Sequence, residues 1–250
     1  MVNDLIMSVT NVINRLNTLF ENDCSKLLTY LSNTAFIAGG SIIYALNDFV
    51  PKESVGDIDL FITSYSNFDK IADNIFWTFG VERPMPVVRG KHAIVWTFVL
   101  PKNNPLIQVI MLNGKYKDPM DVLNLFDIDA VQCGIYEDKL YQTKRCKESH
   151  DTRRVKEFRL NYGLERRLFK MHNKGFNAPI CGMNDRYIEY DFGCKSDWID
   201  VETATVSRIN KKLYLNNYEI YRIVVDPNVA LTAHGIHSVE YNEDKLTLMW

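Results

Sequence analysis

The chain has 250 residues, of which 46% are hydrophobic and 24% charged, and its formal net charge is −2. These proportions are ordinary for a soluble globular protein, and the length suffices for a full core with or without a smaller second domain. No apolar run could span a bilayer, and the N-terminus lacks the features of a signal peptide. Five scattered cysteines without a Cys-x-x-Cys motif fit a reducing compartment, so we expect an intracellular, cytoplasmic protein with no membrane partner.

Two amphipathic helices are predicted at the start of the chain. Apolar residues recur at helical spacing over residues 4–20, and Asp23 can cap a second helix that continues to Leu31. Both helices are expected to cover one face of a sheet.

A glycine turn follows, between a predicted strand and a predicted helix. Phe36 and Ile37 form the apolar strand, Gly39 and Gly40 interrupt it, and Ser41 can cap the next helix. The first backbone N–H groups of a helix lack intrahelical partners, and they suit a phosphate. These two glycines and the serine are therefore candidate nucleotide-binding residues.

Two carboxylates lie on the next predicted strand. Asp57 and Asp59 are two residues apart, so both side chains point to the same face, while Ile58, Leu60 and Ile62 point into the core. Paired carboxylates repel each other unless a cation lies between them, and Mg²⁺ or Mn²⁺ with substrate phosphates would complete such a site.

The glycine turn followed by Asp-x-Asp resembles the signature of the DNA polymerase β-like nucleotidyltransferase superfamily. It looks closest to small nucleotidyltransferases of phages and large DNA viruses, and distantly like CCA-adding enzymes. The resemblance implies that Gly40 and Ser41 hold the triphosphate and that Asp57 and Asp59 bind two metal ions. For a viral protein, the compartment would be the host cytoplasm.

The middle of the chain predicts a helix, a hairpin and a long strand. The helix runs over residues 67–79 with Phe68, Ile71, Ile75 and Phe76 inward, and residues 86–100 read as a hairpin around Gly90. Residues 106–112 form the strand that often supplies a third carboxylate in the superfamily. Here its central polar residue is Gln108, which cannot act as a base.

Residues 126–136 resemble a Phe-Asp-Phe-x-x-Cys-Gln segment of the viral relatives. Asp127 or Asp129 could replace the missing carboxylate if this segment lies beside the metal-binding strand. An equally weighted alternative is that Asp127 orients the backbone where a short helix over 118–126 meets a strand. A hairpin around residues 137–139 follows.

A basic segment extends over residues 144–174. It contains eleven Lys/Arg and four acidic residues, so the rest of the chain carries a net charge of −9. Residues 150–174 are predicted to form a basic helix or helix pair, with one cationic stripe of Lys156, Arg159, Arg166, Lys170 and Lys174. Arg167 and Lys170 are candidate nucleotide-binding residues, and nucleic acid, with RNA favoured, is the predicted partner of this segment.

The remaining residues contain short β-like pieces and no catalytic pattern. A zinc site from Cys181, Cys194 and a histidine, or from His234 and His237, is a minor alternative use of this region. The predicted fold is an α/β (α+β) polymerase β-like mixed sheet backed by helices over residues 1–145. A basic helical segment over 146–176 and a small β-rich domain over 177–250 follow.

The sequence thus predicts a metal-dependent nucleotidyltransferase that moves an NMP from an NTP to a hydroxyl of a nucleic acid and releases pyrophosphate. One alternative is a protein of this fold that binds NTP or nucleic acid without catalysis, which Gln108 favours. Another transfers the NMP to a protein or small molecule. A third is a viral structural protein with vestigial motifs.

Overall fold

The computed structural model describes residues 8–89, 93–112, 118–159 and 164–178, and after these only short strands. The chain divides into two compact units. The first comprises Met1–Phe126 and Ala130–His150, and the second comprises Asp127–Asp129 and Asp151–Trp250. The three domains expected from the sequence stay a prediction.

The secondary structure up to residue 152 alternates helices and strands. The helices are α1 (Val9–Asn17), α2 (Ser25–Thr34), α3 (Gly40–Leu46), α4 (Tyr65–Phe79), α5 (Pro119–Leu123) and α6 (Lys144–Thr152). The strands are β1 (Phe36–Ala38), β2 (Asp57–Ile62), β3 (Val87–Arg89), β4 (Ala93–Phe98), β5 (Leu106–Leu112), β6 (Cys133–Tyr136) and β7 (Lys139–Gln142). No helix within the described ranges is both long and apolar enough to cross a membrane.

These strands form one mixed sheet in the order β3-β4-β5-β2-β1-β6-β7. Strands β2 and β5 run parallel, and the other neighbouring pairs are antiparallel. Helices α2, α3 and α4 pack against the central strands β1 and β2. The prediction of a mixed sheet backed by helices is therefore confirmed, together with the β3–β4 and β6–β7 hairpins.

The two faces of β2 differ because successive side chains of a strand point to opposite sides. Ile58, Leu60 and Ile62 are buried, whereas Asp57 and Asp59 on the other face are only half-buried. Strand β5 alternates in the same way, and its odd-numbered residues are buried. The hydrophobic pattern therefore directs the carboxylates to the less enclosed face of the sheet.

Polar side chains assist the starts of the first helices. The Ser8 hydroxyl accepts a hydrogen bond from the Asn11 N–H at 3.3 Å at the start of α1. The N-cap of α2 is Cys24, and the preceding Asp23 carboxylate accepts the Ser25 N–H at 3.0 Å. Asp23, the predicted cap, thus assists the helix start from the residue before the observed N-cap.

Helix α4 begins two residues before its predicted start, because the Ser64 hydroxyl accepts the Asn67 N–H at 3.4 Å and caps it. Phe76 was predicted to point inward, but it is 45% exposed. The buried residues of α4 recur at Phe68, Ile71 and Ile75, and position 76 is rotated away from that face by one residue.

The prediction of a basic helix or helix pair over residues 150–174 is wrong at residues 157–159, which form a strand. Strand β8 (Glu157–Arg159) interrupts it by pairing with β11 (Trp198–Asp200), a contact between distant residues that helical spacing does not reveal. Helix α7 (Leu164–Asn173) follows.

The described chain after residue 178 consists of short strands. These are β9 (Ile180–Cys181), β10 (Ile188–Asp191), β11, β12 (Val206–Ile209), β13 (Lys212–Leu215), β14 (Tyr218–Val224) and β15 (Leu248–Met249). Four of them form a sheet in the order β10-β14-β13-β12. The predicted β-like pieces are present, and their independence as a domain stays a prediction.

Candidate functional site

The glycine turn connects β1 to α3 through a backbone conformation that favours glycine. Gly39 has φ +86°, and it is the N-cap of α3, so Ser41 lies inside the helix and is not its cap. The Gly39 carbonyl accepts the N–H groups of Ile42 and Ile43 at 3.1 and 3.2 Å. The Ser41 side chain is buried, and its hydroxyl has no hydrogen-bond partner among the residues that the structure describes. The turn therefore carries a polar group whose hydrogen bonds are not satisfied within the described protein.

The turn lies directly beside the predicted metal ligands. Ala38 at the end of β1 pairs with Asp59 on β2. A Cβ atom added to Gly39 would lie 3.5 Å from Asp59 Oδ2. Asp57 and Asp59 occupy the same face of β2, as expected from their spacing. The two halves of the sequence motif, separated in the chain by helix α3 and the loop that follows it, are therefore brought together.

We expect Gly39→Ala to weaken NTP binding by at least about tenfold, because its methyl group would enter the space in front of the Asp59 carboxylate. With φ +86° and ψ −141°, Gly39 lies in a region that favours glycine, so the substitution also adds about 1–3 kcal/mol of backbone strain. Gly80→Ala is the control for replacing a positive-φ glycine, because Gly80 is in the left-handed region and nothing lies within 4 Å of an added Cβ. Both variants should lower the melting temperature by a few degrees, and only Gly39→Ala should weaken binding measured by calorimetry. Equal NTP affinities of the two variants would contradict the assignment of this turn.

Gln108 occupies the position beside the carboxylates where the superfamily resemblance implies a third acidic residue. On β5, which is parallel to β2, Gln108 pairs in register with Asp59. Paired residues of neighbouring strands project to the same face, so an amide stands next to the two carboxylates. The site on the first unit's sheet thus has two acidic oxygen donors and one neutral donor side by side.

The remaining carboxylate candidates are engaged within the second unit. Asp127 forms an ion pair with Arg167, whose Nη2 contacts Oδ2 and whose Nε donates to Oδ1 at 3.2 Å. Asp129 is fully buried, and its Oδ2 accepts the backbone N–H groups of Lys156 and Glu157 at 2.9 and 2.8 Å. Asp129 thus orients the backbone, the role considered for Asp127 from the sequence. The structure brings the predicted site residues Asp127 and Arg167 together as partners of each other.

The predicted single cationic stripe is not formed. Arg166 and Lys170 are exposed one turn apart on α7, but Arg159 lies on strand β8 and Lys156 immediately precedes it. Lys174 follows α7 and is buried. The basic residues therefore belong to several elements, and the exposed helical pair is what remains of the stripe.

A cavity of about 210 Å³ opens at the other end of β2 from Asp57. Phe61, on the same strand face as the carboxylates, contributes to its wall together with Phe36, Val122 and Tyr136. Asp118 adds a carboxylate to the lining. This cavity, lined by both polar and apolar residues, adjoins the strand that carries the candidate site.

A cluster of thiol and imidazole groups was missed by the sequence reasoning. Cys133, Cys146 and His150 are buried, and their ligand atoms lie within 4.8 Å of one another. The Cys-x-x-x-His spacing on α6 was the available signal, but Cys133 joins only through the fold. Cys194 and both histidines of the alternative zinc sites lie outside the described residues, and only the strand backbone is described at Cys181.

The two thiols of this cluster have opposite pKa shifts. Burial raises the pKa of the Cys133 thiol well above its ordinary value. Burial also opposes ionisation of Cys146, but hydrogen bonds from Cys133 and then His150 outweigh it and lower its pKa to about 5.

The first unit is a mixed α/β structure in which a glycine turn adjoins two strand carboxylates. The family model described as Gad2, Gabija anti-defense 2 family protein, matches residues 9–153, which is more than half of the chain. The chain belongs to this family. The matched range includes the glycine turn, both aspartates and the Cys/His cluster. Comparison with curated proteins finds no match.

Proposed function

We propose that this protein is a metal-dependent nucleotidyltransferase that transfers an NMP from an NTP to a hydroxyl group and releases pyrophosphate. The observation that carries this proposal is the proximity of the glycine turn to the carboxylate pair. A Cβ on Gly39 would lie 3.5 Å from Asp59 Oδ2, with Asp57 on the same strand face. A phosphate-binding turn beside two acidic oxygen donors is the arrangement that an NTP–metal complex requires.

The donors fit Mg²⁺ or Mn²⁺, because both aspartates offer hard oxygen ligands on the half-buried face of the sheet. When bound, the metal would supply charge stabilisation for displacement at phosphorus. Gly40 and Ser41 at the start of α3 bind the triphosphate through backbone N–H groups. The buried Ser41 hydroxyl, without a partner in the described residues, can donate to a phosphate oxygen.

A base must take the proton of the attacking hydroxyl, and the assignment of Asp127 to this role rests on the superfamily resemblance and stays a prediction, because its carboxylate is ion-paired with Arg167 within the second unit. Asp129 is less suited, because its Oδ2 already accepts two backbone N–H groups in a buried position. Arg167, the ion-pair partner of Asp127, would then serve by orienting that carboxylate. Lys170 is exposed on α7, where it is available to phosphates, and its predicted role in nucleotide or RNA binding rests on the sequence.

The acceptor can be identified with NTPs labelled at the α-phosphorus. The native chain, with Mg²⁺ or Mn²⁺, is incubated with RNA, single-stranded DNA and protein, and the labelled product is analysed. We expect label on RNA, with a rate that falls steeply as salt rises, because phosphate contacts release counterions. Label on protein or on a small molecule would show that the acceptor belongs to that class and not to nucleic acids. Transfer to none of these acceptors would contradict the proposal.

A second candidate is a protein that binds NTP or nucleic acid without turnover. Gln108 favours it, because an amide stands in register with Asp59 where a carboxylate would complete the metal site. This candidate predicts that NTP binds the native chain while no label moves.

Gln108→Glu separates the two candidates. For an active enzyme, a third negative charge beside Asp59 should lower the Mg²⁺ concentration that gives half-maximal transfer by about tenfold. For an inactive binder, the native chain is inert and the variant alone gains transfer. Gln108→Leu is the control of similar size without charge, and it should not lower the Mg²⁺ requirement. A lower requirement in both variants would exclude charge as the cause.

We further propose that the reaction serves the anti-defense role that the family's name gives, against Gabija, inside the infected host cell. Cells carrying Gabija would be challenged with phage while expressing the native chain or the Asp57→Asn/Asp59→Asn double variant. Protection of the phage by the native chain but not by the double variant would support a link between nucleotidyl transfer and the anti-defense role. Equal protection by both chains would show that the anti-defense role does not depend on the two aspartates.

A further inference from the structure

Three buried metal-ligating side chains converge in the first unit. The Sγ atoms of Cys133 and Cys146 and a ring nitrogen of His150 lie within 4.8 Å of one another. Cys146 and His150 are one helical turn apart on α6, and Cys133 begins β6. We infer that these three residues bind a structural Zn²⁺ that fastens α6 to β6. This inference does not depend on nucleotidyl transfer.

The separation of the two ligand atoms on α6 is close to the one that a tetrahedral zinc ion imposes. Zn–S and Zn–N bonds of about 2.3 and 2.05 Å place S and N about 3.6 Å apart. Cys146 Sγ lies 3.4 Å from His150 Nε2, so this pair needs to move by only a few tenths of an ångström. Zinc can therefore enter without rearrangement of α6.

The chemistry of the donors selects zinc over the ion proposed at the aspartates. Two thiolates and an imidazole favour Zn²⁺ and other borderline or soft ions over Mg²⁺. The carbonyl oxygen of Ala130 lies 3.4 Å from Cys146 Sγ and 2.8 Å from His150 Nε2, which makes it the candidate for the fourth position. Structural zinc sites usually have four Cys or His ligands, so this Cys₂His set with a backbone oxygen would be a variant of that pattern.

Hydrogen bonds around the imidazole define what changes when the metal enters. Without metal, His150 Nε2–H donates to the Ala130 carbonyl, and Nδ1 accepts from the Asn47 amide at 3.1 Å. Coordination through Nε2 moves this proton to Nδ1. The Gln142 amide lies 3.4 Å from Nδ1, and its oxygen can accept the proton after a half-turn of the amide. The protons still held by the thiols leave to solvent.

The site would also support the glycine turn. The carbonyl of Cys133 accepts the N–H of Gly39 at 3.1 Å. A metal that fixes Cys133 therefore fixes the strand residue to which the turn is hydrogen-bonded. Metal binding should make the turn more rigid, whatever ligand the turn holds.

The first test is the metal content of the chain purified after expression with added Zn²⁺. About one Zn²⁺ per chain is expected in the native protein and in Cys24→Ser, because Cys24 is a buried thiol outside the cluster. Cys146→Ser and His150→Gln should lose it. Retention of zinc by both variants, or its loss only in Cys181→Ser or Cys194→Ser, would overturn the inference.

Cobalt substitution of the native chain keeps the test decisive even if a variant fails to fold. One equivalent of Co²⁺ should give thiolate-to-cobalt absorption in the near ultraviolet and tetrahedral bands in the visible. Zinc should displace these bands. A native chain that binds no Co²⁺ through thiolates, or that carries a Cys133–Cys146 disulfide after purification, would refute the site.

Discussion

Replacing Asp57 or Asp59 by asparagine is expected to reduce nucleotidyl transfer by at least about 10²-fold while leaving the fold intact. Both side chains lie on the half-buried face of β2, so an isosteric amide fits without a change in packing. Several kcal/mol of charge stabilisation depend on the metal that these carboxylates would hold, and 1.36 kcal/mol corresponds to a factor of ten in rate. The measurement is label transfer from α-labelled NTP at saturating Mg²⁺.

The same variants should have an unchanged or higher melting temperature without metal, because one of two neighbouring negative charges is removed. Asp48→Asn is the matched control, because the Asp48 side chain is 93% exposed on the same unit. It should leave transfer unchanged. If Asp57→Asn and Asp59→Asn were as active as Asp48→Asn, the carboxylate pair would have no catalytic role.

Gly134→Ala is expected to destabilise the first unit by about 3 kcal/mol, and to lower its melting temperature by about 10 °C. An added Cβ would lie 2.3 Å from Cζ of Phe36 and 2.7 Å from the backbone oxygen of Ile37. The ring could rotate only by leaving its edge-to-face contact with Tyr141, and the carbonyl could move only with strand β1. Because Gly134 pairs with Ala38, the strain would reach the start of the glycine turn.

Denaturant unfolding of the native chain and the variant gives the free-energy difference. Gly56→Ala is the control, because nothing lies within 4 Å of a Cβ added there and its backbone is not in the left-handed region. It should change stability by less than about 0.5 kcal/mol. A Gly134→Ala variant as stable as Gly56→Ala would contradict the close packing of β1 on β6.

Local patterns were sufficient to predict the centre of the fold. Two glycines after an apolar strand predicted the β1–turn–α3 unit, and alternation of acidic and apolar residues predicted the faces of β2. The turn and the carboxylates, which the sequence places in one short region, also lie side by side in the fold, because a Cβ on Gly39 would lie 3.5 Å from Asp59 Oδ2. These features depend on spacing within short segments, which a sequence records directly.

Features that depend on distant residues could not be predicted. Strand β8 forms by pairing with β11, so the helical spacing of charges around Arg159 was misleading. The Cys/His cluster needs Cys133 to approach α6 across a hairpin. The ion pair between Asp127 and Arg167 joins residues 40 apart, and neither side chain alone indicates its partner.

The most direct test of the proposed reaction compares two labels on the same NTP in the presence of the native chain, Mg²⁺ and RNA. Nucleotidyl transfer predicts that label at the α-phosphorus enters the acceptor, while label at the γ-phosphorus leaves in pyrophosphate. The Asp57→Asn/Asp59→Asn double variant should move neither label. Entry of the γ-label into the acceptor would make the protein a phosphotransferase, and NTP binding with no movement of either label would make it an inactive binder.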